Sequence, residues 1–514
     1  MEFAHVKSGN VSRGHRFLCK EPVVISDPLS YKETMREAFV IVDQDERREM
    51  IRTGLLAVAD KLGGHVWHNA DLLEEINYLV EYPTPLYGRI DDEFLKLPVP
   101  AVVTPMRDHQ RYYPVRNEDG SLMPYFLTVR NGGTKALENV QHGNEKVLRA
   151  RLDDAKFFFE NDRKKTLEGH RDDLTRINYQ EGMGDMRDKA DRLQKLTKAI
   201  GKDWGFTAEE AADADRAAFL SKSDLATGMV TEFTELQGEM GKEYALLDGE
   251  KPEVAQAIFE QYMPRFAGDI LPEQGIGRAL SLADKLDNLA ATFLRGLIPT
   301  GSQDPFALRR QTIGAVNILT DGKIHWDIRR GIEAALALLP GDEETKKTVL
   351  SQIEDFFRQR IKAIMLDEGI AYDIIDAVLA GPVDDIYALF LKARSMSESQ
   401  LKDEAELRQA VTRLANITKG KTGGKVDPSL FTEDVEKKLQ DAFEAVSAKA
   451  LPLFASYEYG KALPALKELT APINDYLDNV MVMVDDEAVK NNRISQLLAT
   501  LALFNTWGDF SKLV

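Results

Sequence analysis

The sequence predicts a multidomain, mainly α-helical protein with a mixed α/β region at its start, an all-helical middle and a helical bundle at its C-terminus. Two patterns and one size carry that prediction. Strand-like β-branched runs are confined to the first third of the chain, whereas from Glu145 onward apolar residues recur at intervals of three and four. The 514 residues, at 57.7 kDa, exceed the length at which one core stops growing, so roughly three to four domains are expected.

In chain order, Met50, Ile51, Leu55 and Leu62 predict a helix over residues 43–62, closed by Gly63 and Gly64. Between residues 98 and 130, the runs Val99 to Thr104 and Phe126 to Val129 flank the turn cluster Asn117-Glu118-Asp119-Gly120, which predicts a hairpin. Helices follow over 220–240, 279–297, 307–319 and 345–365, with Pro and Gly between them. Residues 418–428 read as a flexible basic loop. A last helix carries Ile494, Leu497, Leu498, Leu501 and Phe504 on one face. These elements group as a mixed α/β region 1–144, a helical domain 145–340, a helical linker 341–394 and a helical domain 395–514. No fixed-period repeat is present.

Composition narrows the function classes. Apolar residues make up 43% and charged residues 29%, the balance of a globular protein in water. The longest apolar stretches, such as 480–484, fall far short of the ~18 residues of a membrane span. The first 17 residues carry His, Lys and Arg throughout, unlike a signal peptide, so a cytoplasmic protein with no membrane partner is expected. The lone Cys19 excludes an internal disulfide and a thiolate metal cluster. A net charge of −18 argues mildly against nucleic acid as a partner without excluding it, because a contact surface is a local property, and no DNA partner is expected.

Several motifs have ordinary readings. Gly296 and Gly301 have phosphate-loop spacing, but Ser302 stands where the lysine belongs, so a turn is expected. Gly275-Ile276-Gly277 lacks a third glycine and a preceding strand. His65 and His68 could share a helical face, yet no third ligand follows at a recognisable spacing. More specific is Ser281 to Leu289, containing Asp284, together with Ser221-Lys222-Ser223-Asp224-Leu225. These stretches resemble the HD phosphohydrolases, all-helical domains in which a histidine, a His-Asp pair and a distant aspartate clasp a divalent metal. The resemblance implies an HD-like helical middle domain. Its positions here are degenerate: Ser223 replaces the paired histidine beside Asp224, and no first histidine occurs in residues 185–196. A serine hydroxyl is a poor ligand at neutral pH, so no metal is expected. A metal-dependent phosphohydrolase remains an alternative reading, and a helical scaffold is another.

A wider resemblance covers essentially the whole chain. It rests on Arg13 to Phe17 (Arg-Gly-His-Arg-Phe), His142 to Phe159, Thr234 to Gly241, Pro264 to Asp269 and Asp304 to Arg310. These segments are similar to the beta-subunit family of bacterial heterotetrameric glycyl-tRNA synthetases. The closing Asp478 to Asp486, followed by Asn491-Asn492-Arg493, resembles the end of the anticodon-binding helical domain shared with arginyl-tRNA synthetase. The resemblance implies two alpha and two beta chains, with the class II catalytic site, ATP and Mg on alpha. The beta chain would hold tRNA for glycine, carrying no catalytic residue and no cofactor of its own. Accordingly, the sequence offers no class II signature and no His-Ile-Gly-His element, and residues 219–224 only superficially echo a class I lysine loop. Family chains carry a further portion ahead of Arg13 to Phe17, which leads us to expect an N-terminally incomplete first region with unpaired strand edges.

Two basic stretches are candidates for RNA contact. Arg408, Arg413, Lys419, Lys421 and Lys425 form a run without an acidic residue between them, suited to neutralising phosphates. Lys146, Arg149, Arg151, Lys156 and Arg163 to Lys165 interleave with Phe157 to Phe159, although Glu145, Asp153, Asp154, Glu160 and Asp162 nearly offset them. Arg413, Asn416 and Arg493 have side chains suited to reading unpaired bases.

Overall fold

The computed structural model describes residues 2–3, 5–301 and 303–513, and Ser302 of the phosphate-loop-like motif lies outside them. The chain is mainly α-helical and divides into two compact units, residues 1–177 with 222–255, and residues 178–221 with 256–514.

The first unit is built on a three-stranded antiparallel sheet. Its central strand, Leu122–Asn131, pairs with Pro83–Arg89 on one side and Tyr113–Arg116 on the other. The helices Gln44–Lys61 and Ala70–Leu79 cover it, burying Ile51, Leu55, Leu72 and Ile76 against Val115 and Leu127. The predicted helix over 43–62 begins where the Asp43 carboxylate accepts the amides of Asp45 and Glu46. It ends before Gly63, whose φ of 71° favours glycine.

The predicted hairpin is corrected in one arm. Its strands are Tyr113–Arg116 and Leu122–Asn131, whereas Val99–Thr104 is a short helix. Pro98 precedes that helix and Pro100 lies in its first turn, where a fixed φ suits helix entry and a missing N–H costs nothing.

The predicted helix over 220–240 is also corrected. The chain there forms the single turns Ser223–Ala226 and Thr234–Leu236 around the short helix Gly228–Glu232. Carboxylates distant in sequence organise this winding segment. Asp162, at the end of the long helix Leu137–Asp162, accepts the amides of Gly228 and Met229 at 2.8 and 2.9 Å. The Tyr244 hydroxyl donates to the same group at 2.9 Å.

In the second unit, Gly275–Leu294 is buried around nearly its whole circumference and forms the axis of a helical domain. Met186–Asp203, Ala208–Leu220, Leu308–Asp321, Ile328–Ala337 and Glu343–Asp367 pack around it. The glycine pair of the weak dinucleotide-like motif lies at its first turn. Any β-carbon at Gly277 would collide with the Glu260 carboxylate, which explains the glycine without a ligand. The C-terminal bundle comprises Ala405–Thr418, Asp434–Ala455, Thr470–Asn479 and Glu487–Asn505. The last helix buries Ile494, Leu497 and Phe504 as its periodicity predicts, and Leu498 and Leu501 are half-buried. Among the described residues no helix is long and apolar enough to cross a membrane.

Candidate nucleic-acid interface

The basic run of the C-terminal bundle divides into engaged and available cations. Arg408 and Arg413 lie on Ala405–Thr418. The Arg408 guanidinium donates to the backbone carbonyls of Lys402 and Leu513. Arg413 donates to Asn474 at 2.9 Å and to Asp478 at 2.5 Å, tying this helix to Thr470–Asn479. Asn416, Lys419 and Lys425 are exposed, and the Lys421 ammonium lies 3.4 Å from the Met483 sulfur.

The lysines stand on a loop, as the composition of 418–428 predicts, and that loop is hydrogen-bonded to the last helix. The Gly424 amide donates to Ser495 at 2.8 Å. Asp427 and Asn492 exchange two hydrogen bonds, at 2.7 and 3.0 Å. Both latches come from the final helix, so its buried polar face holds the basic loop in place. The segment 480–483 lies beside the loop, with Val480 and Val482 buried and Met481 and Met483 exposed.

Arg493 requires the clearest correction. It was a candidate for reading bases, but it is only 4% exposed. Its guanidinium is bound to Glu436 at 3.0 and 3.1 Å, to Thr432 at 2.6 Å and to the Met481 carbonyl at 2.8 Å. Burial opposes ionisation of Glu436, yet hydrogen bonds from Arg493 and from the Thr432 and Glu433 amides hold its carboxyl below the ordinary glutamate range. Arg493 is thus a buried internal strut of the bundle and not a surface group for reading bases.

In the first unit, Lys146, Arg149 and Arg151 project from Leu137–Asp162 and are exposed. Arg149 is paired with Asp91, and Lys156 lies 2.6 Å from Glu93. Arg163, at the end of this helix, is held by Asp248.

The degenerate HD positions fall in different compact units. Ser223 and Asp224 are buried in the first, where Asp224 accepts the Gly238 amide at 2.7 Å. Asp284 belongs to the second, and there the ammonium of Lys189 stands 2.9 Å from it. Lys189 also donates to Asp287 at 2.9 Å and to Asn288 at 2.8 Å. Arg192 grips both oxygens of Asp287, at 2.6 and 3.1 Å, and the Tyr179 ring lies 4.6 Å from the Lys189 ammonium. Burial works against this charge, but Asp284 and Asp287 outweigh it and raise the Lys189 pKa above the ordinary lysine value. These residues do not fit a divalent metal: a fixed cation already occupies the Asp284 carboxylate, and Ser223 supplies no imidazole. His65 and His68 are both exposed.

Lys189, Arg192 and Asp287 were missed in the sequence. Their only local sign is complementary spacing, two cations three residues apart on one helix and two carboxylates three apart on another.

Residues 407–508, which hold the helical bundle and its basic loop, match the DALR anticodon binding domain, a class of domain described by anticodon binding. Residues 1–380 match the family described as glycyl-tRNA synthetase beta subunit. Among curated proteins, the glycine–tRNA ligase beta subunit of Clostridioides difficile (strain 630) is 45% identical over 508 residues, covering 99% of this chain and 74% of that one. Those of Desulforamulus reducens and Halothermothrix orenii are each 42% identical, over 517 and 499 residues, covering 100% and 96% of this chain and 74% and 72% of theirs. The chain belongs to the glycyl-tRNA synthetase beta subunit family.

Proposed function

We propose that this chain holds tRNA for glycine within an aminoacyl-tRNA synthetase, while a separate alpha subunit joins glycine to that tRNA at the expense of ATP. In this reading two alpha and two beta chains assemble in the cytoplasm, and ATP and Mg bind on alpha. The observation that carries it is the loop of Lys419, Lys421 and Lys425, latched by Ser495 and Asn492 onto a bundle of the anticodon-binding class. In a chain of net charge −18, three lysines on a braced loop provide a local site for RNA phosphates. The phosphohydrolase alternative is disfavoured because Lys189 already neutralises Asp284, one of the two carboxylates such a metal would need, and Ser223 supplies no imidazole.

The test is glycine-dependent exchange of pyrophosphate with ATP, together with tRNA binding by gel shift. The purified chain should retard tRNA for glycine yet show no exchange until an alpha chain is added. Robust exchange by the chain alone would overturn the assignment of catalysis to alpha, and failure to retard the tRNA would overturn the holding role.

A further inference from the structure

We infer that Met481 and Met483 form an apolar platform on which unpaired bases of a bound RNA loop rest, beside the lysines that meet its phosphates. This inference rests on the tRNA-holding reading and adds to it the element that contacts the bases. Along 480–483 the side chains alternate, with Val480 and Val482 at 6% and 8% exposure and Met481 and Met483 at 73% and 48%. The valines account for the packing of the segment. The methionine side chains reach solvent beyond it, that of Met483 with Lys421 at its sulfur.

Their setting favours RNA over an apolar protein partner. Lys421 lies against the Met483 sulfur, and Lys419 and Lys425 are exposed on the same loop. An apolar surface flanked by cations suits single-stranded nucleic acid, because every base offers a π-face and every nucleotide a phosphate. Thioether sulfur is polarisable and makes favourable contacts with aromatic rings. The backbone beneath the platform is held, since the buried Arg493 donates to the Met481 carbonyl at 2.8 Å. The four-residue segment is therefore presented at a fixed height next to the loop.

The full chain would be compared with the double variant M481A/M483A and the triple variant K419Q/K421Q/K425Q, whose altered side chains lie at the surface. Each would be titrated with a transcript of tRNA for glycine and with the same transcript carrying a replaced anticodon triplet. M481A/M483A should bind the first transcript roughly tenfold more weakly, the loss expected of a base contact, and should lose discrimination between the two transcripts. Its salt dependence should stay that of the parent chain. Parental affinity and discrimination in M481A/M483A would overturn the platform, as would a loss of self-association without any change in RNA binding. Loss of binding in the lysine variant alone would leave the tRNA-holding reading standing without the platform, whereas no loss in either variant would remove both.

Discussion

The helix Leu137–Asp162 and the loop of Lys419, Lys421 and Lys425 are both rich in cations, and they dispose of that charge differently. On the helix, Arg149 and Lys156 reach carboxylates at Asp91 and Glu93, and only Lys146 and Arg151 remain as open surface charge. On the loop, Lys419 and Lys425 are exposed and Lys421 rests against a methionine. The bundle takes up a different cation, Arg493, entirely for itself. Cation density along a sequence therefore measures two things at once: bracing of the protein, and capacity for an anionic partner.

The comparison can be broken most forcefully at the cations that are engaged in the core. Lys189→Met would remove the buried cation that faces Asp284 and Asp287 while leaving Asp287 with Arg192, and is expected to cost roughly 3–5 kcal/mol, read as a fall in the urea midpoint of unfolding. A midpoint within error of the parent would show that Lys189 does not brace the helical domain.

A somewhat smaller loss, roughly 3 kcal/mol at neutral pH, is expected for Arg493→Met, which removes the cation from the buried Glu436 carboxylate and leaves it only the Thr432 and Glu433 donors. Its pH dependence has a definite sign. Because the folded Glu436 pKa is lowered, its contribution is fully present above the unfolded-state value and disappears as pH falls through the folded one. The gap in unfolding midpoint between parent and Arg493→Met should therefore narrow as pH is lowered below the glutamate range. A gap that is constant with pH would place the loss in packing.

At the available cations the effect should move from stability to binding. Neutralising Lys419, Lys421 and Lys425 together should leave the unfolding midpoint nearly unchanged while flattening the log–log salt dependence of tRNA affinity by ~0.7 to 0.9 per lost phosphate contact. An unaltered slope would make the loop a solvated surface only. The smallest effect is expected on the long helix: Arg149→Gln with Lys156→Gln should leave the salt slope where it is, since both cations already have carboxylate partners. A slope that flattened as much as for Lys146→Gln with Arg151→Gln would erase the distinction between engaged and available charge.

Much of the helical architecture could be read from the sequence because its signals are local. Asp43 and Gly63 bracket the helix between them, and the period of the last helix brings Ile494, Leu497 and Phe504 inward. Misreadings arose where distant groups decide. Asp162 reaches Gly228 and Met229 across more than sixty positions and organises turns in a stretch whose apolar spacing suits a helix. Val99 to Thr104 has β-branched residues in plenty, but Pro98 and Pro100 set a helical entry. The basic loop was visible as composition, whereas its latches at Ser495 and Asn492 lie some seventy residues away. For the same reason Arg493 passed for a base reader: its partner Glu436 is 57 positions distant.

The ammonium of Lys189 has one further consequence. A cation bridging carboxylates is commonly borrowed from the surroundings, and a domain built that way depends on the supply of trace elements. Here the bridging charge is part of the polypeptide and arrives with translation. The bridge at this position is thus a covalently tethered side chain, which a chelator does not extract.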